Sequence, residues 1–280
     1  MNGILNMILI FFIIISYPIS MRWIKIIDPP VYIESVPLKL PSFLVTVMVL
    51  SRVENVATRD AIRESWIDAT SYNRLFFIGQ LCPGGSDGIS CNVKSITSIN
   101  TNKKAIDTVT LGVTDVYHHL PRKLKLAYAW TLKFTDSRWI VKTDEDFFVN
   151  GPNLIKLLMK FPSKSQVVGC IMHNAQVHRE GKWKETAYTP NVYPPFPLGS
   201  CGHAITKDVA EFIVNYDGYE YQGEDTSLGI WSIGNNNVTM SSTPYFSNTG
   251  QCNDVSKAIM GHQFRINDMY VCKKIHHIYK

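Results

Sequence analysis

The chain has no Cys-x-x-Cys pair, no internal repeat, no low-complexity tract and no cluster of basic residues. The first absence argues against a structural zinc site, and the next two against repeat arrays and biased disordered segments. Charged residues make up only 18% of the sequence and the formal net charge is +5 with the basic residues scattered, so nucleic acid is not indicated as a partner. The N-terminus also lacks the basic n-region usual in a targeting segment, although Gly3 to Ile19 is almost wholly apolar, with Asn6 the one strongly polar interruption before Ser16. Two readings stand. Ser16, Pro18 and Ser20 suit a cleaved signal peptide. A run at the lower limit of a membrane span followed by Arg22 and Lys25 suits a signal anchor, the preferred reading. Residues 1–20 are then a transmembrane anchor, and 21–41, with Pro29, Pro30, Pro37 and Pro41, a short extended stem. Both readings send the remainder into the secretory pathway. Six cysteines fit that compartment, and Cys82 with Cys91 and Cys252 with Cys272 are candidate staples. Asn237-Val-Thr239 is the single glycosylation sequon.

What is present is enough for a large core: 280 residues, 45% hydrophobic. Phe43 to Leu50 is a continuous β-branched run of the kind buried on both faces of a parallel sheet. Asn55 to Asp68 reads as a helix with Thr58 as its N-cap, Leu75 to Ile78 and Ile106 to Val113 as strands, and Leu120 to Phe134 as a helix. Between Cys82 and Lys104 lies a polar, Gly-rich loop. Asn153 to Lys160 is a further helix, Val167 to Ile171 a strand and Lys207 to Val214 a helix. The alternation of strand and helix up to the acidic strand is the signature of a doubly wound sheet, within an α/β domain over residues 42–280.

The organising stretch is Trp139-Ile-Val-Lys-Thr-Asp-Glu-Asp-Phe-Phe-Val-Asn150. An apolar strand delivers Asp144, Glu145 and Asp146 together, and a second apolar run follows. Adjacent carboxylates on a partly buried turn repel one another, so a hard divalent cation shared with a diphosphate is one explanation; a solvated acidic turn is the other. Arg59 and Arg63, four apart near a strand end, either hold a phosphate or form a solvated face. Glu224 and Asp225, between Gly223 and an apolar run, suit a helix N-terminus, where a remote general base and a simple capping acid are both admissible. The loops His178 to Trp183 and Tyr193 to Pro197 mix aromatic and cationic groups, as stacking on sugars or bases requires, and as ordinary packed turns also do.

In order along the chain, Arg59-Asp-Ala-Ile-Arg-Glu-Ser-Trp66, Phe76-Phe-Ile-Gly79, Asp115-Val-Tyr-His-His-Leu120 with Lys125 and Trp130, Lys142-Thr-Asp-Glu-Asp-Phe-Phe-Val-Asn150, Lys182-Trp183, Tyr193-Pro-Pro-Phe196 and Gly223-Glu-Asp225 resemble the blocks of the β-1,3-glycosyltransferases of the Galactosyl_T type, glycosyltransferase family 31. The resemblance implies a GT-A type domain with a Rossmann-like mixed sheet, Mn²⁺ as cofactor, and inverting transfer of galactose or an N-acetylhexosamine from a UDP-sugar to a glycoprotein or glycolipid glycan. It implies a type II Golgi membrane protein with a lumenal catalytic domain. It assigns the metal to Asp146, with Asp144 beside it and His277 or His276 as a late ligand, and donor contacts to Arg59, Arg63, Lys142, Asp144 and Glu145. Asp225 is the base with Glu224 beside it, and Lys182 and Trp183 face the acceptor. The chain departs from the family at Glu145, where the middle acid is usually Asp, and at His203, where an aromatic is usual. A catalytically silent relative of the same fold that binds glycan or a partner enzyme is the alternative.

Overall fold

The computed structural model describes residues 42–66, 70–80, 107–248, 250 and 259–278, with the side chains of the last helix described to residue 275. The anchor, the stem and the Cys82–Cys91 staple lie outside the described residues. None of the described helices is long and apolar enough to cross a membrane.

Strand β1 (Val45–Leu50) is completely buried and pairs in parallel with β2 (Asn73–Gln80) on one side and β4 (Trp139–Asp144) on the other. Strand β3 (Thr108–Thr114) extends the sheet beyond β2. The unbroken apolar run of β1 has a simple cause, since its two side-chain rows enter two different cores. Val45, Val47 and Val49 face the core that includes Ala61, Ile62 and Trp66, whereas Met48 and Leu50 face the one that includes Leu124, Tyr128 and Trp130. The first of these layers contains helix α1 (Val56–Ser65) and, packed on it, the last helix, α6 (Ile266–Ile278). The second contains α2 (Leu120–Phe134), α4 (Lys207–Asn215) and α5 (Glu224–Ile233).

Beyond β4 the sheet becomes mixed, as the family resemblance implied. Strand β9 (His203–Thr206) lies antiparallel between β4 and β6 (Gln166–Gly169), and β10 (Thr239–Ser242) closes the edge, giving the mixed order β10-β6-β9-β4-β1-β2-β3. The inserted strand reaches its place through the turn Gly199 to Gly202, and the Cys170–Cys201 disulfide holds that turn to the end of β6. Cys272 is also disulfide-bonded, to a partner outside the described residues.

Two corrections concern helix starts. Helix α1 begins at Val56 with Asn55 in the capping position, not at Thr58, and the Asn55 side chain caps nothing because its amide donates to Glu145. Helix α3 (Gly151–Leu158) starts two residues ahead of the expected helix. Asn150 accepts from the Asn153 backbone N–H, and Pro152 occupies the first turn, where its missing N–H costs nothing.

Three short strands complete the frame of the site. Strand β5 (Phe148–Val149), just after the acidic turn, pairs antiparallel with β12 (Met260–Gly261), which pairs with β11 (Phe246–Ser247). The acidic turn is fixed from the other side by Trp66, 4% exposed, whose indole N–H donates to the Phe147 carbonyl at 2.9 Å. Trp66→Phe leaves that buried carbonyl unpaired and is expected to lower stability by about 1–3 kcal/mol, read as a shift in urea midpoint without a change in slope.

Candidate active site

The carboxyl ends of β1, β2, β3 and β4 converge on a cavity of about 650 Å³, lined among others by Ser51, Asp115, Asp144, Glu145, Asp146 and His262. Ligands in α/β sheets bind at this end because the strands stop there and the loops diverge. A second cavity, of about 470 Å³, includes Lys182, Trp183, Tyr193 and Asp225. Both cavities are bordered by Tyr117, Leu120, Asp144 and His262, so a molecule in one is adjacent to a molecule in the other.

Lys142 sits between them, fully buried. Its ammonium lies 3.0 Å from Asp144 Oδ2 and 3.0 Å from Glu224 Oε1. Burial alone would lower the lysine, but the two carboxylates outweigh it and hold it above its ordinary range. Glu224 is kept below the usual carboxylate range, the pull of Lys142 overcoming burial. Asp144 is pushed up, by burial first and by Glu224, against the pull of Lys142. Lys142 therefore ties the acidic turn to α5 instead of presenting the free charge to a donor that the family resemblance implied.

Asp225 is the half-buried arm of this arrangement that lines the second cavity. It accepts from the Gly199 N–H at 3.1 Å and the Thr226 N–H at 2.7 Å. Burial, then the neighbouring Glu224, push its carboxyl up to about 6, against those two hydrogen bonds. A Cβ at position 199 would stand 2.7 Å from Glu224 Oε1 and 3.4 Å from Asp225 Oδ2, so glycine is what lets the turn approach both acids. Gly202, at φ +64°, lies as close to the Lys142 carbonyl, which a Cβ would meet at 2.7 Å.

The other expected donor residues are used up internally. Arg59 is 3% exposed and donates to Ser51 Oγ and to the carbonyls of Arg52 and Val53, fixing the loop after β1. Arg63 forks onto Asp107 at 2.8 and 3.0 Å and also reaches Asp60. Neither lines the cavity, and the two do not act as a phosphate pair: burial takes one inward while Asp107 takes the other sideways. Glu145, with its extra methylene, accepts from Ser51 Oγ at 2.6 Å, from the Arg52 N–H at 3.1 Å and from Asn55. It latches the acidic turn to the loop after β1. His203 is buried behind Lys142 and meets the Tyr128 hydroxyl at 2.6 Å; burial and Lys142 keep its imidazole well below its ordinary range and neutral. It faces neither cavity, so its departure from the family pattern leaves both clefts unaltered.

Two groups escaped the sequence reading. Lys123, not Lys125, meets Asp115: its ammonium lies 2.6 Å from Asp115 Oδ1 and 2.7 Å from the Ser51 carbonyl, while Asp115 also accepts from the Val53 N–H at 2.8 Å. Lys125, two residues on, points away to the Tyr216 carbonyl. The signal for Lys123 was its place in the first turn of α2, facing the strand ends. The second group is His262. Its Nε2 lies 3.1 Å from Asp146 Oδ2, and Asp146 also accepts, through its carbonyl, from the Phe264 N–H. No motif marked it; the pairing of β12 with β5 puts it there. The side chains of His276 and His277 lie outside those described, and the helix that carries them packs along α1 through Tyr270 and Lys273, both bonded to Glu64. Lys182 and Trp183 do reach the second cavity. The Lys182 ammonium stands 5.2 Å from the centre of the Tyr117 ring and 5.6 Å from that of Trp183.

Comparison with known proteins places this arrangement. UDP-GalNAc:beta-1,3-N-acetylgalactosaminyltransferase 2 of Xenopus laevis is 36% identical over 129 residues, 45% of this chain and 26% of that protein. Probable beta-1,3-galactosyltransferase 1 of Arabidopsis thaliana is 33% identical over 165 residues, 56% of this chain and 42% of the relative. Lactosylceramide 1,3-N-acetyl-beta-D-glucosaminyltransferase A of Xenopus laevis is 27% identical over 178 residues, 60% and 47% of the two chains. This chain thus spans less than half the length of each of these relatives. Among solved structures, a glycosyltransferase involved in the glycosylation of the major capsid of PBCV-1 is similar over 84% of this chain and 100% of its own, at 11% identity and a TM-score of 0.38, too distant to carry weight. Residues 57–241, well over half of the chain, match the galactosyltransferase family and span the acidic turn, Lys142 and Asp225, so the chain belongs to that family.

Proposed function

We propose that the chain is an inverting, UDP-sugar-dependent β-1,3-hexosyltransferase with a GT-A type catalytic domain. It moves galactose or an N-acetylhexosamine to a hydroxyl of a glycoprotein or glycolipid glycan. The observation that carries this reading is the shared border of the two cavities: the acidic turn opens on one, the pushed-up Asp225 on the other, and Asp144 belongs to both. A donor in the first cavity and an acceptor in the second would meet at that border.

The residues fit the implied metal. The Asp146 side chain is 42% exposed at the first cavity, and His262 offers an imidazole nitrogen beside it, an oxygen and nitrogen set suited to Mn²⁺. Among the described residues no group of three ligating side chains gathers, which leaves room for diphosphate oxygens and water. Bound there, Mn²⁺ would neutralise charge on the leaving diphosphate. The chain's own groups supply the rest. The Asp225 carboxylate takes the proton of the acceptor hydroxyl as its oxygen bonds to the anomeric carbon, and the anomeric C–O bond breaks with its electron pair leaving on UDP. Gly199 and Thr226 hold the base through their N–H groups, and the neighbouring Glu224, itself paired with Lys142, helps to raise its pKa. Placement in the Golgi membrane, with residues 1–20 as anchor and 21–41 as stem, belongs to the same proposal; the disulfide-bonded cysteines support an oxidising compartment.

Calorimetry of UDP with and without Mn²⁺, paired with a transfer assay over a panel of UDP-sugars, tests the reading. Asp146→Ala is expected to abolish Mn²⁺-dependent UDP binding. Asp225→Asn is expected to leave UDP binding intact while lowering transfer by at least about 100-fold; normal turnover in that variant would remove Asp225 from its role. Below pH about 6 the Asp225 carboxyl holds its proton, so kcat/KM should fall on the acid side with an apparent pKa near 6. Lys142→Ala leaves two buried carboxylates without their cation. We expect a stability loss of about 3–5 kcal/mol, and, in whatever fraction folds, an acid limb displaced to higher pH, because Lys142 is one of the groups that pull Asp225 down.

A further inference from the structure

From the second cavity, which Tyr193 and Phe196 line, aromatic rings continue outward in unbroken contact. Phe196 and Tyr193 are buried, with centroids 5.8 Å apart. Tyr193 lines the cavity that holds Asp225 and is hydrogen-bonded to Thr226. Tyr188 stacks on Tyr193 at 5.4 Å and 14°, Tyr221 meets Tyr188 edge-on at 5.4 Å, and Tyr219 follows at 5.2 Å. Tyr188 and Tyr221 are half-buried and Tyr219 is 61% exposed, so the row starts beside the base and ends in solvent.

Apart from Phe196, these rings sit on segments that are neither helix nor strand, yet the segments are held rigidly. Arg179 donates to four carbonyls, those of Glu185, Tyr188, Thr189 and Pro190, at 2.7 to 3.0 Å. Glu185, 3% exposed, accepts from the N–H groups of Ala187 and Tyr188 with one oxygen and from that of Gln222 with the other, at 2.6 to 3.1 Å. A buried carboxylate thus joins the loop around Tyr188 to the one around Tyr221, and backbone groups absorb both charges. What remains for a ligand is a surface of flat apolar faces edged by phenolic hydroxyls, with the exposed Glu220 between Tyr219 and Tyr221 in the chain. Such a surface matches sugar rings, which offer C–H faces and a rim of hydroxyls, and its rigidity lowers the ordering cost of binding.

We propose that Tyr188, Tyr221 and Tyr219 form an extended acceptor subsite for neutral sugar rings beyond the one that receives the transferred residue, so that the chain prefers oligosaccharide to monosaccharide acceptors. This rests on the assignment of the second cavity to the acceptor. The test uses the full chain in detergent micelles and saturation-transfer NMR titrations with two pairs of probes. These are N-acetylglucosamine with its β-1,4-linked tetramer, and N-acetyllactosamine with the tetrasaccharide made of two such units. In at least one pair the tetrasaccharide should bind about tenfold tighter. The double variant Tyr219→Ala, Tyr221→Ala should lose that gain, with Mn²⁺-dependent UDP binding as the control for folding. Tyr219→Ala alone, at an exposed position, should lose a measurable part of it. Equal affinity of wild type for short and long probes in both pairs, or a length preference that survives in the double variant, overturns the subsite. A length preference in a chain that transfers no sugar would instead overturn the transferase reading and leave the subsite standing.

Discussion

The contact on which the site depends is the fully buried Lys142 ammonium between Asp144 and Glu224. Taking one cation and two carboxylates out of water is costly, and an ion pair with only one carboxylate would leave the other charge without a partner. The three groups therefore stand or fall together, and they come from two elements far apart in sequence: β4, and the N-terminus of α5. Because Asp144 belongs to the acidic turn and Glu224 adjoins Asp225, the buried ammonium fixes the acidic turn and Asp225 relative to one another. A hydrophobic contact would hold the elements together equally well, but it would not set the charge of either acid.

Around this centre the strand ends are laced by polar side chains. Asp115 and Lys123 tie the ends of β3 and β1 to the start of α2, with burial pulling the lysine below its ordinary range against Asp115. Glu145 and Arg59 tie the loop after β1 to the acidic turn and to itself. Lys123 and Arg59, both 3% exposed, would be uncompensated buried charges if their partners moved, so the cleft floor resists deformation more than loop ends usually do. The walls facing the cleft are left to Asp146, His262, Tyr117 and the half-buried Asp225.

Much of the fold was legible because it is written in local periodicity. Helix α2 runs from Leu120 to Phe134 as its apolar stripe foretells, and β1 differs from the expected strand only at its start. The family resemblance, built on short blocks in fixed order, also held. What failed was whatever depended on distant partners. Antiparallel β9 follows a Gly-rich turn whose course is set by the disulfide and by the approach of Gly202 to Lys142. Arg59 and Arg63 share a helix, but one is drawn inward by carbonyls and the other sideways by Asp107, and no spacing rule distinguishes these fates. His262 is invisible in sequence because a two-residue strand pairing delivers it.

That pairing has a consequence for assembly. Strands β5 and β12 lie more than a hundred positions apart, and the chain between them contains β6, β9, α4 and α5. During synthesis the central parallel strands and α2 emerge first, and a segment that closes a long loop joins last. The acidic turn therefore spends the early life of the molecule without its histidine, with the first cavity open on that side. Asp146 gains His262 as a neighbour only when the carboxyl-terminal part docks, so on the proposed reading competence to bind metal and donor would double as a report that this part of the chain has folded.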